Sequence, residues 1–202
     1  LTSVATDGHR LAVSRHALAS DGEPVKVLLS RDFAAALRAR PVTSFGVVKV
    51  ASPAQTWVVA QGPGFSVRAQ PIDLAFPSYE QVVPTEHDRR LTAARRVFAD
   101  TVAAAQAAGG KDTLGVVLAL REDGVDVTSD NPERCVFEDG FAGTVAGKPL
   151  KIGFNVRYLA QALASHASES VIAEFSGELD PCVLRSSDKP TERLDVLMPM
   201  RV

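Results

Sequence analysis

The stretch Ala5-Thr6-Asp7-Gly8-His9-Arg10-Leu11-Ala12 decides how the rest of the chain is read. Val4 and Ala5 run in as a strand, Asp7-Gly8 supplies a tight turn with a positive-φ position that glycine tolerates, and Leu11-Ala12-Val13 runs out. The spacing therefore predicts a β-hairpin. Taken alone, the turn has a plain account: Thr6 and Asp7 hold it through side-chain to backbone bonds, and His9 and Arg10 are solvated. At the other end, Met198-Pro199-Met200-Arg201-Val202 combines two adaptable thioethers with a proline that holds a strand end open.

The chain has 202 residues, enough for one large domain or up to two average ones with a real core. Hydrophobic residues make up 46% and charged residues 23%, which excludes a disordered chain and fits a soluble one. No apolar run reaches the roughly 18 residues a membrane helix needs, and the first residues lack a signal-peptide pattern, so a cytoplasmic location is expected. Cys135 and Cys182 are far apart, with no second Cys or His at ligand spacing. Buried thiols are expected there, rather than a disulfide or a zinc site. A formal net charge of -2 gives no overall pull toward nucleic acid, so any DNA role depends on local sorting of charge.

In chain order, Asp21-Gly22-Glu23-Pro24 reads as a loop and Val25 to Leu29 as a short strand. Ser30 caps a helix over Arg31 to Arg40, whose Phe33, Ala34 and Leu37 share a face, and Pro41 ends it. Strands follow at Phe45 to Val50, Thr56 to Ala60 and Phe65 to Ala69. The last two are joined at Gln61-Gly62-Pro63-Gly64, a hairpin loop rather than a phosphate cradle because no helix follows. Pro71 to Pro84 reads as an extended linker. The longest helical pattern is Ala94 to Ala108, stopped by Gly109-Gly110. Strands are expected at Leu114 to Leu120 and Val125 to Ser129 around the Glu122-Asp123-Gly124 turn, with weaker candidates at Arg134 to Glu138 and Gly143 to Ala146. Strand Leu150 to Phe154, a helix from Asn155, and strands Val171 to Phe175, Val183 to Arg185 and Leu194 to Leu197 complete the chain. Set beside Val25 to Ile72, this last quarter is a divergent repeat: the helices align at Leu37 and Leu163, and three strands and a Pro follow each. The fold class is α+β, repeated strand-helix-three-strand half-units building antiparallel sheets with helices gathered on one face.

The wording of the first hairpin is followed, in order, by Phe76-Pro77-Ser78-Tyr79, Asp130-Asn131-Pro132-Glu133, Ile152-Gly153-Phe154-Asn155-Val156-Arg157-Tyr158 and Met198-Pro199-Met200-Arg201. Together these stretches resemble the bacterial DNA polymerase III beta subunit family, the sliding clamps, over essentially the whole chain. The resemblance implies a DNA clamp fold, sheets outside and helices on an inner face. Residues 1–84 would be the later part of a clamp's middle domain, incomplete at its N-terminus, and residues 85–202 its C-terminal domain. The lack of an initial Met and of a strand to pair the hairpin's outer edge gives the same expectation, the C-terminal part of a longer chain.

The resemblance also implies function. A clamp is a processivity factor that encircles duplex DNA without reading sequence. It tethers the replicative polymerase, the clamp loader and repair proteins through short linear motifs, and its full-length form closes as a head-to-tail homodimer. The motifs enter a groove between the middle and last domains. By position, Thr6, Gly8, His9, Arg10 and Leu11 form one wall, with Pro77 and Val82 on the linker side. Asn155, Tyr158, Val196, Leu197, Met198, Pro199, Met200 and Arg201 complete it. A plainer alternative keeps Tyr158 and Leu197 in the core and packs Met198 and Met200 under the last strand. Thr113 stands where many clamps carry a larger groove-side residue, Val202 replaces a common terminal Leu, and Gln81 replaces a basic residue that faces DNA in some clamps. For DNA, Arg31 and Arg38 on one helix, Arg95 and Arg96 on the second and Arg157 on the third are the candidate cations, against a solvated helix face as the alternative.

Catalysis is not expected. His9, His16, His87 and His166 are scattered, and no H-E-x-x-H, G-x-S-x-G, Walker or Rossmann pattern occurs. Asp7 and His9 imitate an acid/base pair only as turn residues, and neither a cofactor nor a metal site is expected. A stand-alone peptide-binding module without DNA function is the second reading, and a hydrolase using His9 and Asp7 the third.

Overall fold

The computed structural model describes residues 1–19, 22–38, 40–51, 54–110, 115–131 and 135–201. Thr113, Val202, the Pro132-Glu133 part of the third motif and the expected strand start at Arg134 lie outside them. The described residues form two compact units, Leu1–Leu18 with Tyr79–Val202, and Ala19–Ser78. By packing, the first hairpin therefore goes with the C-terminal stretch, whereas the division expected from sequence falls at Pro84.

In the larger unit the hairpin is β1 (Thr2–Thr6) and β2 (Arg10–Arg15). Gly8 sits in its turn at φ +87, where a side chain would be strained. After β6 (Arg89–Ala94) come α2 (Arg95–Gly109), β7 (Gly115–Leu120), β8 (Gly124–Asn131), β9 (Cys135–Ala142) and β10 (Thr144–Ala146). Then follow β11 (Leu150–Asn155), α3 (Val156–Ser165), β12 (Ser170–Phe175), β13 (Cys182–Ser186) and β14 (Arg193–Leu197). They build a seven-stranded sheet in the order β1-β2-β14-β13-β12-β6-β10 and a four-stranded sheet β11-β7-β8-β9, all antiparallel. Helices α2 and α3 pack on each other, and α2 also lies against β8 and β9.

Side chains alternate across a strand, so the seven-stranded sheet buries both faces at its centre. Leu184 and Leu197 join the main core with Phe98, Val102, Phe141, Phe154, Leu159 and Leu163, where the Phe98 and Phe141 rings lie 4.6 Å apart. Their neighbours Val183, Leu194 and Val196 point the other way, onto Leu11 and Val13 of the hairpin. Burial of this second, smaller cluster is what attaches the hairpin. Tyr79 and Val83 pack on it from the stretch expected to be a plain linker, which turns there as a 3-10 helix over Tyr79–Val82.

The smaller unit holds α1 (Arg31–Arg38) and the sheet β3 (Ser44–Ala51), β4 (Ala54–Gly62), β5 (Phe65–Ala69). Ser30 caps α1 as expected, its Oγ accepting from the Phe33 amide at 3.2 Å. The strand expected at Val25 to Leu29 is not formed. Val27 and Leu29 pack against Phe33, Val58 and Ala60 without joining a ladder, and Leu28 contributes one backbone acceptor, to the Ile72 amide at 2.9 Å. Burial there is satisfied by side chains alone, so the repeat lacks its first strand in this half.

One strand was not expected, and one expectation needs correction. Strand β6 runs through Arg89-Arg90-Leu91-Thr92-Ala93-Ala94, where only Leu91 and Ala93 alternate inward. Cys135 is exposed at the start of the edge strand β9, while Cys182 is buried, and burial pushes its thiol far above the ordinary value.

One polar cluster lies inside the larger unit. Asp195, which β14 turns toward the helix side, accepts from Nε and Nη2 of Arg193, both at 2.8 Å, and from Ser165 Oγ at 3.2 Å. The fully buried ring of His166, the C-cap of α3, places Nε2 3.1 Å from the same carboxylate and Nδ1 2.9 Å from Ser186 Oγ. The end of α3 is thus tied to β13 through His166 and Ser186, and to β14 through Ser165 and Asp195. Asp195→Ala removes the acceptor of the partly buried Arg193 guanidinium and of Ser165 Oγ, beside a buried imidazole, and is expected to lower stability by about 3 kcal/mol, read as a urea midpoint shift. A loss below about 1 kcal/mol would show the cluster to be solvated.

Candidate functional site: the hairpin turn, helix α3 and the C-terminal tail

The turn between β1 and β2 is held by its own side chains. Thr6 Oγ1 donates to the Arg10 carbonyl at 2.8 Å and accepts from the Gly8 amide at 3.2 Å. Asp7 Oδ1 accepts the amides of His9 and Arg10 at 3.1 and 3.2 Å, and Oδ2 accepts Arg10 Nε at 2.9 Å. The Asp7 carboxylate takes the backbone of His9, not its ring, so the pair is turn chemistry. Partial burial alone would raise its pKa, but the amide and guanidinium bonds outweigh that and hold it below the ordinary 3.8.

Arg10 reaches beyond the hairpin. Its Nη1 donates to Gln161 Oε1 at 2.6 Å, and its guanidinium lies over the Tyr158 ring, 4.3 Å from the centroid. The His9 and Tyr158 rings are stacked with centroids 6.2 Å apart. Asn155 sets the start of α3, its Oδ1 accepting the amides of Arg157 and Tyr158 at 3.0 and 3.4 Å. Tyr158 and Gln161, three residues apart, consequently share a helix face. Gln161 was missed in the sequence, since a lone glutamine on an exposed helix face gives no signal until its partner is known.

The tail joins both elements. In the β2–β14 register Leu197 faces Arg10, and one residue on, the Met198 amide donates to the His9 carbonyl at 3.0 Å. Two residues further, the Met200 amide donates to the Gly153 carbonyl of β11 at 2.8 Å. Pro199, which has no N–H, stands between these two bonds. Met198 is 44% exposed, Pro199 and Met200 are half-buried, and Arg201 is exposed.

Thr6, Gly8, His9, Arg10, Leu11, Asn155, Tyr158 and Val196 to Met200 are thus carried by these linked elements. Within that set Leu11, Val196 and Leu197 are core residues at 4% exposure or less, while Tyr158 is half-buried against the main core. Val82 is exposed on the 3-10 turn, and Pro77 is exposed in the smaller unit. Of the cations proposed for DNA, Arg31, Arg38, Arg96 and Arg157 are exposed. Arg95 donates Nε to the Ser168 carbonyl at 2.9 Å, and Arg96 lies 3.8 Å from Asp100. Among the described residues no group of three His, Cys, Asp or Glu side chains is placed to hold a metal, and no helix is long and apolar enough to cross a membrane.

The family profile of the DNA polymerase III beta subunit, C-terminal domain, matches residues 80–201, more than half of the chain. The chain belongs to the DNA polymerase III beta subunit family. The beta sliding clamp of Vibrio cholerae is 26% identical over 211 residues, covering 100% of this chain and 55% of that protein. The crystal structure of the beta subunit from Pseudomonas aeruginosa matches with a TM-score of 0.88 at 26% identity, over 100% of this chain and 55% of that one. A Pseudomonas aeruginosa sliding clamp bound to griselimycin matches at 0.84 and 26%, over 100% and 54%. The chain therefore spans about half the length of the clamps it matches, and its architecture is that of the DNA clamp fold.

Because the folded-state pKa of Asp7 is lowered, its bonds stabilise the turn at and above the ordinary carboxylate range and are lost as pH falls through the lower folded value. Between about pH 5 and pH 2, the His9 and Arg10 amide resonances should titrate together with a midpoint below 3.8. A midpoint above 3.8 would contradict the geometry of the turn.

Proposed function

We propose that the chain acts as part of a sliding clamp, a non-catalytic processivity factor of DNA replication working in the cytoplasm, and that the linked turn, helix and tail are its peptide-binding groove. Residues 1–84 then correspond to the later part of a clamp's middle domain and residues 85–202 to its C-terminal domain. The full-length form closes head to tail as a homodimer around duplex DNA. Short linear motifs of the replicative polymerase, the clamp loader and repair proteins dock in the groove, and the ring's topology raises their effective concentration at the DNA. Arg31, Arg38, Arg95, Arg96 and Arg157 contact phosphates without reading bases, as sliding requires.

The observation that carries this reading is the tail: in a member of this family, Met198 N–H to His9 and Met200 N–H to Gly153 hold a partly exposed thioether strip across the hairpin turn and β11. Thioethers repack around varied apolar side chains, and an extended peptide gains backbone bonds beside such an edge. A family clamp solved with griselimycin bound supports a ligand-accepting site on this fold.

The test is a titration of a labelled peptide carrying a Gln followed by Leu and Phe anchors. The chain is expected to bind with a Kd in the micromolar range, about -8 kcal/mol. Met198→Asp places a charge in the strip at an exposed position, and is expected to weaken binding at least about tenfold without moving the melting temperature. Binding that survives this substitution unchanged would refute the groove assignment.

A further inference from the structure

Two side chains of the hairpin turn reach the face of α3: the His9 ring stacks on Tyr158, and Arg10 makes two ties, its guanidinium over the same ring and a bond donated to Gln161. The two ties differ in kind. A guanidinium over a ring is held by a broad attraction that tolerates sliding, whereas a bond from Nη1 to an amide oxygen at 2.6 Å fixes where along the ring the guanidinium rests. Asp7 fixes the opposite edge through Nε, but Asp7 belongs to the hairpin itself, so it orients Arg10 relative to its own turn and not relative to the helix. Gln161 supplies the directional tie across 151 positions of sequence.

We propose that Gln161 is a positioning residue of the groove: it locks the Arg10 guanidinium over Tyr158, so that this wall is already formed before a peptide arrives. The inference rests on the groove reading given above. Gln161 is exposed, so its contribution is to order rather than to stability. Without it, Arg10 keeps Asp7 but regains rotamers that sweep the mouth of the site beside Met198. Binding must then immobilise one long side chain anew. The amide is well suited to the task. Its Oε1 accepts from Arg10 Nη1 while Asp7 keeps Nε, so the two acceptors do not compete for one donor.

The experiment compares the wild-type chain with Gln161→Leu, which removes the acceptor at similar volume, and Gln161→Glu, which keeps one. By NMR, the Arg10 Nε–H and δ-methylene resonances should sit upfield in the wild type from the Tyr158 ring current, move toward random-coil positions in Gln161→Leu and stay upfield in Gln161→Glu. In the peptide titration, Gln161→Leu should bind about 3- to 10-fold more weakly at an unchanged melting temperature, and Gln161→Glu should bind as the wild type does. Wild-type binding with unaltered shifts and affinity in Gln161→Leu overturns the inference alone. Failure of the wild type to bind overturns the groove reading with it, and the two results are distinct because the first requires a bound peptide.

Discussion

Strand β14 is paired on both sides, with β13 through Cys182 to Arg185 and with β2 through Arg10 to Ser14, and the rest of the site depends on that double pairing. Its register is set by alternation: Leu194 and Val196 face the hairpin cluster, while Asp195 and Leu197 face the helices. A slip of one residue would drive Asp195 into Leu11 and Val13 and turn two aliphatic side chains toward the polar end of α3, so the alternatives are strongly disfavoured. Once Leu197 lies opposite Arg10, the tail has few choices. Its next amides meet His9 and Gly153, and the methionines on either side of Pro199 lie along the junction.

Helix α3 is the second partner in this arrangement, and it is held at both ends. Asn155 caps its first turn, and His166 at its C-terminus is packed against Ser186 and Asp195. Between those anchors the helix presents Leu159 and Leu163 to the core and Tyr158 and Gln161 to Arg10. The side chains that meet the hairpin are therefore mounted on an element with little freedom to tilt, which suits a binding wall that has to keep its spacing.

Much of this was legible before the fold was known. Asp7-Gly8 between apolar pairs specified the hairpin, Ser30 and Asn155 marked helix starts, and Gly62-Pro63-Gly64 marked the β4–β5 turn, because each is a local device with a local cause. What escaped was decided by distant packing. Strand β6 carries only two inward apolar residues and is recruited by β12 and β10 on its flanks, and Tyr79 and Val83 look like linker residues until Leu11 and Val13 are beside them. Val25 to Leu29 erred the other way: its apolar residues wanted burial, which the α1–β4 cluster satisfied without a ladder. At the site, family likeness located the hairpin, helix and tail, but it could not separate Leu11, Val196 and Leu197, which are spent on the core, from the half-exposed Met198 and Tyr158. Nor could it find Gln161, whose role exists only through a partner 151 positions away.

A fixed groove wall requires the hairpin to be an integral part of the C-terminal unit, joined through β14. Native-state hydrogen exchange across increasing denaturant tests this directly, because it reports the opening free energy of each strand separately. The protected amides of β2 and β14 should merge with those of β12 and β13 in a single opening of the whole unit. If β2 instead exchanged through an opening lower by about 2 kcal/mol or more, with β14 still protected, the hairpin would be an appendage. The wall carrying Thr6 to Leu11 would then not be a fixed part of any groove.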